Sequence, residues 1–343
     1  MSRITSLVRP NIAALAPYST ARDEYDGPIG IFLDANESPY ENGYNRYPDP
    51  HQAELKARIA PVKGIPVENL FLGNGSDEAI DLVYRIFCVP GEDNAVIMTP
   101  SYGMYGVAAD INDVAVRPVR LDEDFSLDTE ALLSAVDGKT KVIFLCSPNN
   151  PSGNALPKAQ LLEICDRFGG IVVVDEAYVD FSSQGSLAHE AVRRDNLIVL
   201  QTLSKARAMA GLRIGLAISS REIIRLMSMV KYPYNLSRAA MEKAMAFMEK
   251  PIDQEVGVLV NERDRLESVL PRYDFIRKVF PSDANFLLVR VDDADGLYNY
   301  LLEKGIIVRN RTRVPGCAGC LRLTVGLPEE NDALLRALDN YTV

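Results

Sequence analysis

Between residues 70 and 218, short apolar runs alternate with segments of helical pattern, and this alternation constrains the fold more than any other feature. The runs are apolar almost throughout, as expected for strands that helices cover on both faces of a sheet. They are Leu70–Leu72, Ala95–Met98, Val142–Cys146, Ile171–Val174, Leu197–Gln201 and Ile214–Ile218. Helix candidates between them include Asp77–Phe87, Asp128–Val136 and Lys158–Phe168. This order predicts an α/β fold with a mostly parallel sheet.

The pattern changes after Tyr234. Further helices are predicted at Ser237–Met248, Ile252–Leu270, Ala294–Lys304 and from about Glu329, and strands at Asn285–Val291 and Cys320–Val325. These elements are typical of a smaller α+β unit that the N-terminal residues complete. We therefore expect a large domain over residues 33–234 and a small domain made of residues 1–32 and 235–343.

Composition excludes several classes of function. The chain has 343 residues and a net charge of -10, which disfavours a general nucleic-acid binder. It has only two histidines, so neither a histidine-based triad nor a metal centre is expected. Five scattered cysteines do not form a disulfide framework, and Cys317 and Cys320 are interpreted as small residues in a tight turn. No leader or membrane-spanning run stands out, so the expected compartment is the cytoplasm.

A glycine turn follows the first predicted strand. Gly73-Asn-Gly75-Ser76-Asp77 leads directly into a helix, where backbone N–H groups and the positive end of the helix dipole can bind an anion. A dinucleotide fingerprint would need glycine or alanine at position 78, and Glu78 stands there, so a single phosphate fits better. The alternative is a helix that Ser76 caps, with nothing bound.

Polar residues also follow three other predicted strands. The segment Cys146–Gly153 contains Asn150, although turn chemistry alone can explain it. Asp175 ends a buried strand and must find a donor or cation, or else cap the next helix. Lys205 follows Thr202 and Ser204 and could act as a Schiff-base amine, although an arbitrary lysine is usually solvated. Arg213 has the planar fork that suits phosphate.

The ordered set GNGSDE, SPNNPSG, DEAY, TLSK and GLRIG resembles the fold-type I pyridoxal-phosphate (PLP) aminotransferases, most closely the histidinol-phosphate aminotransferase family. The resemblance extends from Leu15-Ala-Pro-Tyr18 to Leu321-Arg322-Leu-Thr-Val-Gly326. It implies an α/β fold with a mostly parallel seven-stranded sheet and a smaller α+β domain. It also implies a homodimer with a shared active site.

The resemblance assigns a role to each site residue. Lys205 would carry PLP and move a proton, Asp175 would pair with the ring nitrogen, and Tyr178 and Asn150 would hydrogen-bond the ring oxygen O3′. The remaining cofactor contacts would be Tyr102 on the ring face and, at the phosphate, Gly75, Ser76, Asp77, Thr202, Ser204, Arg213 and Tyr47 from the partner subunit. The substrate would contact Tyr18, Asn36, Arg309 and Arg322. No metal is implied.

Strand alternation places Leu321 and Leu323 on one face and Arg322 on the other, which fits a solvated arginine as well as a ligand clamp. The resemblance favours the clamp. The implied activity is transamination between L-histidinol phosphate and 2-oxoglutarate, which gives imidazole-acetol phosphate and glutamate in histidine biosynthesis. An aromatic amino-acid aminotransferase or a phospho-amino-acid decarboxylase would keep the same cofactor residues. A PLP-binding regulatory module is disfavoured by the complete residue set, and a nicotinamide dehydrogenase by Glu78.

Overall fold

The computed structural model describes residues 4–20 and 30–342, which contain a seven-stranded and a four-stranded sheet. The larger sheet has the order β1-β7-β6-β5-β4-β2-β3. Its strands are β1 (Leu70–Asn74), β2 (Asn94–Thr99), β3 (Ala115–Arg120), β4 (Thr140–Cys146), β5 (Ile171–Asp175), β6 (Leu197–Thr202) and β7 (Ile214–Ile218). β4 and β5 are parallel, whereas β7 is antiparallel to β1 and β6. The predicted α/β class with a mostly parallel seven-stranded sheet is confirmed.

The smaller sheet is antiparallel, with the order β10-β11-β9-β8. Its strands are β8 (Ile276–Phe280), β9 (Phe286–Val291), β10 (Arg309–Asn310) and β11 (Cys320–Thr324). The helices along the chain are α1 (Pro10–Ala13), α2 (Ala53–Lys63), α3 (Ser76–Phe87), α4 (Met104–Ile111), α5 (Thr129–Ser134), α6 (Lys158–Arg167), α7 (Ala188–Arg193), α8 (Arg221–Val230), α9 (Arg238–Met248), α10 (Asp253–Val269), α11 (Ala294–Glu303) and α12 (Pro328–Asp339). Among the residues described, no helix is long and apolar enough to cross a membrane.

The described residues form two compact units. The first unit comprises Met1–Asn94, Val107–Ala115 and Leu187–Pro251, and the second comprises Ala95–Gly106, Val116–Ser186 and Ile252–Val343. The predicted division into residues 33–234 against 1–32 and 235–343 stays a prediction.

In the first unit, α3 packs against β7, β1 and α8. One face of α3 is apolar and buried, including Ile80, Val83 and Tyr84, because apolar residues recur there at helical spacing. Gly73 of β1 and Thr202 of β6 both lie opposite Gly215 of β7. The ends of these three strands therefore place the glycine turn and the Thr202–Lys205 segment at one edge of the sheet.

In the second unit, the parallel strands β4 and β5 are almost wholly buried, which explains their lack of alternation. The small sheet and helices α10, α11 and α12 enclose a separate apolar core around Leu287, Val289, Leu321 and Leu323. β10 pairs with β11, and Arg309 lies opposite Arg322. This pairing brings two arginines of consecutive strands to neighbouring positions.

Several elements were not predicted from the sequence, among them strand β3 and helix α8. β3 lies at the end of the sheet order and has largely unburied side chains, so it lacks the apolar run that marks a central strand. Pro118 lies within it, and proline is tolerated at such an edge. The apolar residues of α8 form one helical stripe, whose buried members are Ile223, Ile224, Leu226 and Met227.

Candidate active site

The glycine turn after β1 is built for close approach to another group. Gly75 is the N-cap of α3 with φ of 76°, a conformation that favours glycine, and it has no side chain with which to cap the helix. The expected alternative, capping by Ser76, is therefore wrong: Ser76 is the first helical residue. A Cβ atom on Gly75 would lie 2.7 Å from Nη2 of Arg213. The first turn of α3 thus presents its amides and the positive end of its dipole beside a guanidinium, which suits a phosphate.

Arg213 and Gly215 hold this turn in place from the neighbouring strand. The carbonyl of Arg213 accepts a hydrogen bond from the Gly75 N–H at 2.8 Å, and its guanidinium lies 3.5 Å from the Asp77 carboxylate. A Cβ atom on Gly215 would lie only 2.0 Å from the backbone nitrogen of Ser76. Gly215 of the GLRIG segment is therefore required here by packing, because only glycine lets β7 approach the start of α3.

The segment after β6 carries the predicted lysine. The Thr202 hydroxyl accepts a hydrogen bond from the Ser204 N–H at 3.1 Å, which turns the chain at the end of the strand. Thr202 is buried, Ser204 is partly buried and Lys205 is exposed. The structure thus brings Thr202 and Arg213 to the glycine turn through β7, and Lys205 directly follows Ser204 in the chain.

Glu78 has a structural task that the sequence did not indicate. Its Oε2 atom accepts hydrogen bonds from the Asn74 N–H at 2.5 Å and from Nδ2 of Asn235 at 2.9 Å. Asn235 also donates to the carbonyl of Leu72 at 3.1 Å, and Gln52 donates to Asn235 at 2.6 Å. Hydrogen bonds of the side chains at positions 52, 78 and 235 therefore hold the glycine turn in place.

Tyr47 is half exposed, with 52% of its surface accessible. Its ring stacks on Tyr234 at 4.5 Å between centroids, and its backbone N–H donates to Glu37 at 2.7 Å. Glu37 also forms an ion pair with Arg46 at 2.8 Å, so the turn before Tyr47 is fixed. Tyr18 and Asn36, the other predicted residues of the N-terminal region, are exposed.

In the second unit, Asp175 lies at the buried end of β5. Its carboxylate accepts hydrogen bonds from the Tyr105 hydroxyl at 2.7 Å and from the Ala177 N–H at 3.0 Å. Burial and the Asp175 charge raise the pKa of Tyr105 well above its usual value, so the phenol stays a donor. Tyr105 was not among the site residues predicted from the sequence. The predicted Tyr102 packs edge-on against its ring at 5.6 Å between centroids.

Asn150 joins two other predicted residues. Its amide nitrogen donates to the Tyr178 hydroxyl at 3.4 Å, and its oxygen accepts from Nη1 of Arg322 at 2.5 Å. Burial raises the pKa of the Tyr178 phenol, which is therefore protonated at neutral pH. The Arg322 guanidinium also lies over the Phe286 ring, 5.1 Å from its centroid. A polar chain of Tyr178, Asn150 and Arg322 results.

The side-chain alternation predicted for β11 is confirmed, since Leu321 and Leu323 are buried and Arg322 lies on the other face. Arg309 is exposed and is the cross-strand partner of Arg322, so the two side chains are neighbours on one face. Burial and then the charge of Arg309 lower the pKa of Arg322. A third arginine, Arg311, follows β10 and was not predicted.

All five cysteines are buried, and none of them forms a disulfide bond within the described part of the chain. Cys317 and Cys320 lie in one turn, which a 3.0 Å backbone hydrogen bond closes. Within the described parts of the chain, no group of three or more histidine, cysteine, aspartate or glutamate side chains could hold a metal ion.

The chain matches known proteins over nearly its whole length. The family model described as aminotransferase class I and II matches residues 32–338. A histidinol-phosphate aminotransferase from Parabacteroides distasonis is 54% identical over 342 residues, which cover 99% of each chain. The crystal structure of a histidinol-phosphate aminotransferase from Clostridium acetobutylicum is similar with a TM-score of 0.78 and 26% identity, over 85% of this chain and 89% of that one.

A second crystal structure, that of a histidinol-phosphate aminotransferase from Sinorhizobium meliloti in complex with PLP, has a TM-score of 0.77 and 23% identity. It covers 85% of this chain and 82% of its own, and at this identity it shows the common fold. The chain belongs to the class I and II aminotransferases, in the histidinol-phosphate aminotransferase family.

Proposed function

We propose that the protein transfers an amine reversibly between L-histidinol phosphate and 2-oxoglutarate with PLP as its cofactor, in histidine biosynthesis. The observation that carries the proposal is the 54% identity, over 99% of both chains, to a protein named histidinol-phosphate aminotransferase. The paired arginines of β10 and β11 support it, because both substrates are anions and a guanidinium binds carboxylate and phosphate alike.

The residues present fit PLP. The close approach of Gly75 to the Arg213 guanidinium, together with an α3 N-terminus whose N-cap is a glycine, provides donors for a phosphate. Asp175 is buried, and its carboxylate is held in place by the two hydrogen bonds that it accepts. A carboxylate fixed in this way can pair with a protonated ring nitrogen. When bound, PLP supplies an electron sink for negative charge that develops beside the substrate amine.

Each predicted residue then has a task. The amides of Gly75, Ser76 and Asp77, with Thr202, Ser204 and Arg213, bind the phosphate. Asp175 keeps a proton on the ring nitrogen, Tyr178 and Asn150 donate hydrogen bonds to O3′, and Tyr102 covers the ring face. Lys205 would hold the cofactor through its amine and would move a proton at the substrate α-carbon.

Arg322 would bind the substrate anion, and Arg309, Tyr18 and Asn36 would be the other residues that contact the substrate. Its Nη1 atom is tied to Asn150, so binding of the substrate at Arg322 is linked to the residue that contacts O3′. This connection positions the substrate against the cofactor.

We also propose a homodimer in the cytoplasm, in which the partner subunit's Tyr47 reaches the cofactor phosphate. The supporting observation is that Tyr47 is fixed by Glu37 and Tyr234 while 52% of it remains exposed in a single chain. A fixed but exposed aromatic side chain is available to another subunit.

The test compares amino donors with the purified PLP-loaded enzyme. L-Histidinol phosphate, L-histidinol, phenylalanine and tyrosine would each be offered with 2-oxoglutarate, and formation of glutamate would be followed. We expect L-histidinol phosphate to have the highest kcat/KM. Preference for the aromatic amino acids would indicate an aromatic aminotransferase. Release of carbon dioxide from a phosphorylated amino acid without formation of glutamate would indicate a decarboxylase.

A further inference from the structure

Arg311 lies beside Arg309 and Arg322 and has no role in the scheme above. Its backbone N–H donates to the carbonyl of Cys320 at 2.8 Å, which extends the pairing of β10 with β11 by one residue. Side chains two residues apart in a strand lie on the same face, so Arg311 shares the face of Arg309. Arg322, the register partner of Arg309, lies on that face too. We call Arg309, Arg311 and Arg322 the arginine cluster.

The arginine cluster has an excess of positive charge. Burial lowers the pKa of Arg311, and the charges of Arg322 and Arg309 lower it further. Within residues 4–20 and 30–342, the Nε atoms of Arg311 and Arg322 are buried without a hydrogen-bond partner. A buried donor without a partner is unfavourable, so both atoms are suited to an acceptor that arrives with a ligand.

Two side chains act against this lowering of the Arg311 pKa, the Cys317 thiol and the Tyr178 phenol. Burial raises the pKa of the Cys317 thiol to about 12 and that of the Tyr178 phenol above its usual value, so both are uncharged at neutral pH. Neither group therefore offsets the repulsion among the three guanidinium groups, which a bound dianion would relieve.

We propose that Arg311 is a specificity-determining residue that binds the phosphate of the substrate and makes the site prefer a phosphate monoester to a carboxylate. A phosphate monoester carries nearly two negative charges and three acceptor oxygens at neutral pH, whereas a carboxylate carries one charge and two oxygens. Arg322, tied to Asn150, can serve either anion, and the phosphate has acceptor sites left for a further guanidinium. The inference rests on the proposed function, since it takes the phosphorylated substrate from there.

The experiment compares the PLP-loaded wild type with Arg311→Gln, Arg311→Lys and the control Arg313→Gln. Arg313 is exposed and only two residues away, so the control removes the same charge from the same loop. The measurements are kcat/KM for L-histidinol phosphate and for glutamate, and the inhibition constant of inorganic phosphate against glutamate. Arg311→Gln should lower kcat/KM for the phosphorylated substrate by about 10- to 100-fold, as expected for one charge-assisted hydrogen bond.

Three further results are expected. Glutamate turnover should stay close to that of the wild type, inorganic phosphate should inhibit Arg311→Gln more weakly by a similar factor, and Arg311→Lys should be intermediate because it keeps the charge without the fork. Arg313→Gln should behave as the wild type.

Equal losses for glutamate and L-histidinol phosphate would overturn the inference, as would unchanged inhibition by phosphate. An effect of the same size in Arg313→Gln would also overturn it, since net charge alone would then be the cause. If Arg311→Gln does not fold, judged by thermal unfolding and PLP content, Arg311→Lys decides by the same criteria. A wild type without preference for L-histidinol phosphate over L-histidinol would overturn the proposed function as well. A preference for L-histidinol phosphate over L-histidinol that is undiminished in Arg311→Gln overturns this inference alone.

Discussion

Gly215→Ala should weaken PLP binding by moving the start of α3. The new Cβ atom would lie 2.0 Å from the backbone nitrogen of Ser76 and 2.2 Å from the carbonyl carbon of Gly75. Ordinary van der Waals contact begins near 3.4 Å, so this part of the chain would have to move by more than an ångström. Both neighbours are backbone atoms, so a change of side-chain rotamer cannot relieve the clash.

The magnitude follows from the hydrogen bonds at stake. A displacement of that size takes an N–H group out of hydrogen-bonding range of a fixed phosphate oxygen. Each charge-assisted hydrogen bond contributes about 1.5–3 kcal/mol, and the overpacking itself costs about 1–3 kcal/mol of stability. We therefore expect the Kd of PLP to rise by at least about tenfold. The assay is titration of the apoenzyme with PLP, followed by the absorbance of the bound cofactor.

Gly211→Ala is the matched control. A Cβ atom on Gly211 would meet nothing within 4 Å, and this glycine belongs to the same GLRIG segment. We expect Gly211→Ala to bind PLP as the wild type does. If Gly215→Ala, shown to be folded by circular dichroism, binds PLP as tightly as Gly211→Ala, then the amides at the start of α3 do not hold the cofactor phosphate.

Four further substitutions test individual residues. Lys205→Ala should lose the absorption band of covalently bound PLP and lower turnover by at least on the order of 10²–10⁴-fold; a mutant with both intact would exclude Lys205 as the cofactor lysine. Asp175→Asn should retain PLP yet lose most turnover, because an amide lacks the charge that stabilises a protonated ring nitrogen; normal turnover at normal PLP content contradicts this. Tyr47→Phe should release PLP more readily, and mixing its subunits with Lys205→Ala subunits should restore some activity; no recovery after verified subunit exchange speaks against a shared site. Arg309→Ala should impair turnover of L-histidinol phosphate more than turnover of glutamate at unchanged PLP content, and equal losses would show that Arg309 does not distinguish the two.

The central strands were predictable from the sequence because their environment is uniform. β4 and β5 are buried on both faces, so almost every residue in them is apolar and the runs stand out. β3 was not predictable by the same signal, since its largely unburied side chains at the end of the sheet permit Arg117, Pro118 and Arg120. The two-residue strand β10 is too short for any periodicity to appear.

The candidate site was predictable to the extent that it consists of backbone turns with local sequence requirements. Gly75 and Gly215 lie in recognisable sequence motifs because no other residue fits their conformation or packing. Tyr105 and Asn235 lie in no such motif. Tyr105 contacts Asp175 across 70 positions, and Asn235 contacts Glu78 across 157, and such pairs are set by the tertiary fold. The i, i+3 spacing of Tyr102 and Tyr105 at the start of α4 was the one local signal available.

The proposed cofactor phosphate site and the proposed substrate anion site differ in how they can change by substitution. The proposed phosphate-binding turn is fixed by backbone contacts between α3 and β7, where even one added carbon atom has no room. The proposed substrate anion site depends on long side chains at Arg309, Arg311 and Arg322, and Arg309 is exposed. A substitution there changes charge and reach without moving the backbone of the turn. Substrate preference can therefore change through the arginine cluster while cofactor binding stays intact, so substitutions in the cluster should alter kcat/KM between phosphorylated and unphosphorylated donors at constant PLP content.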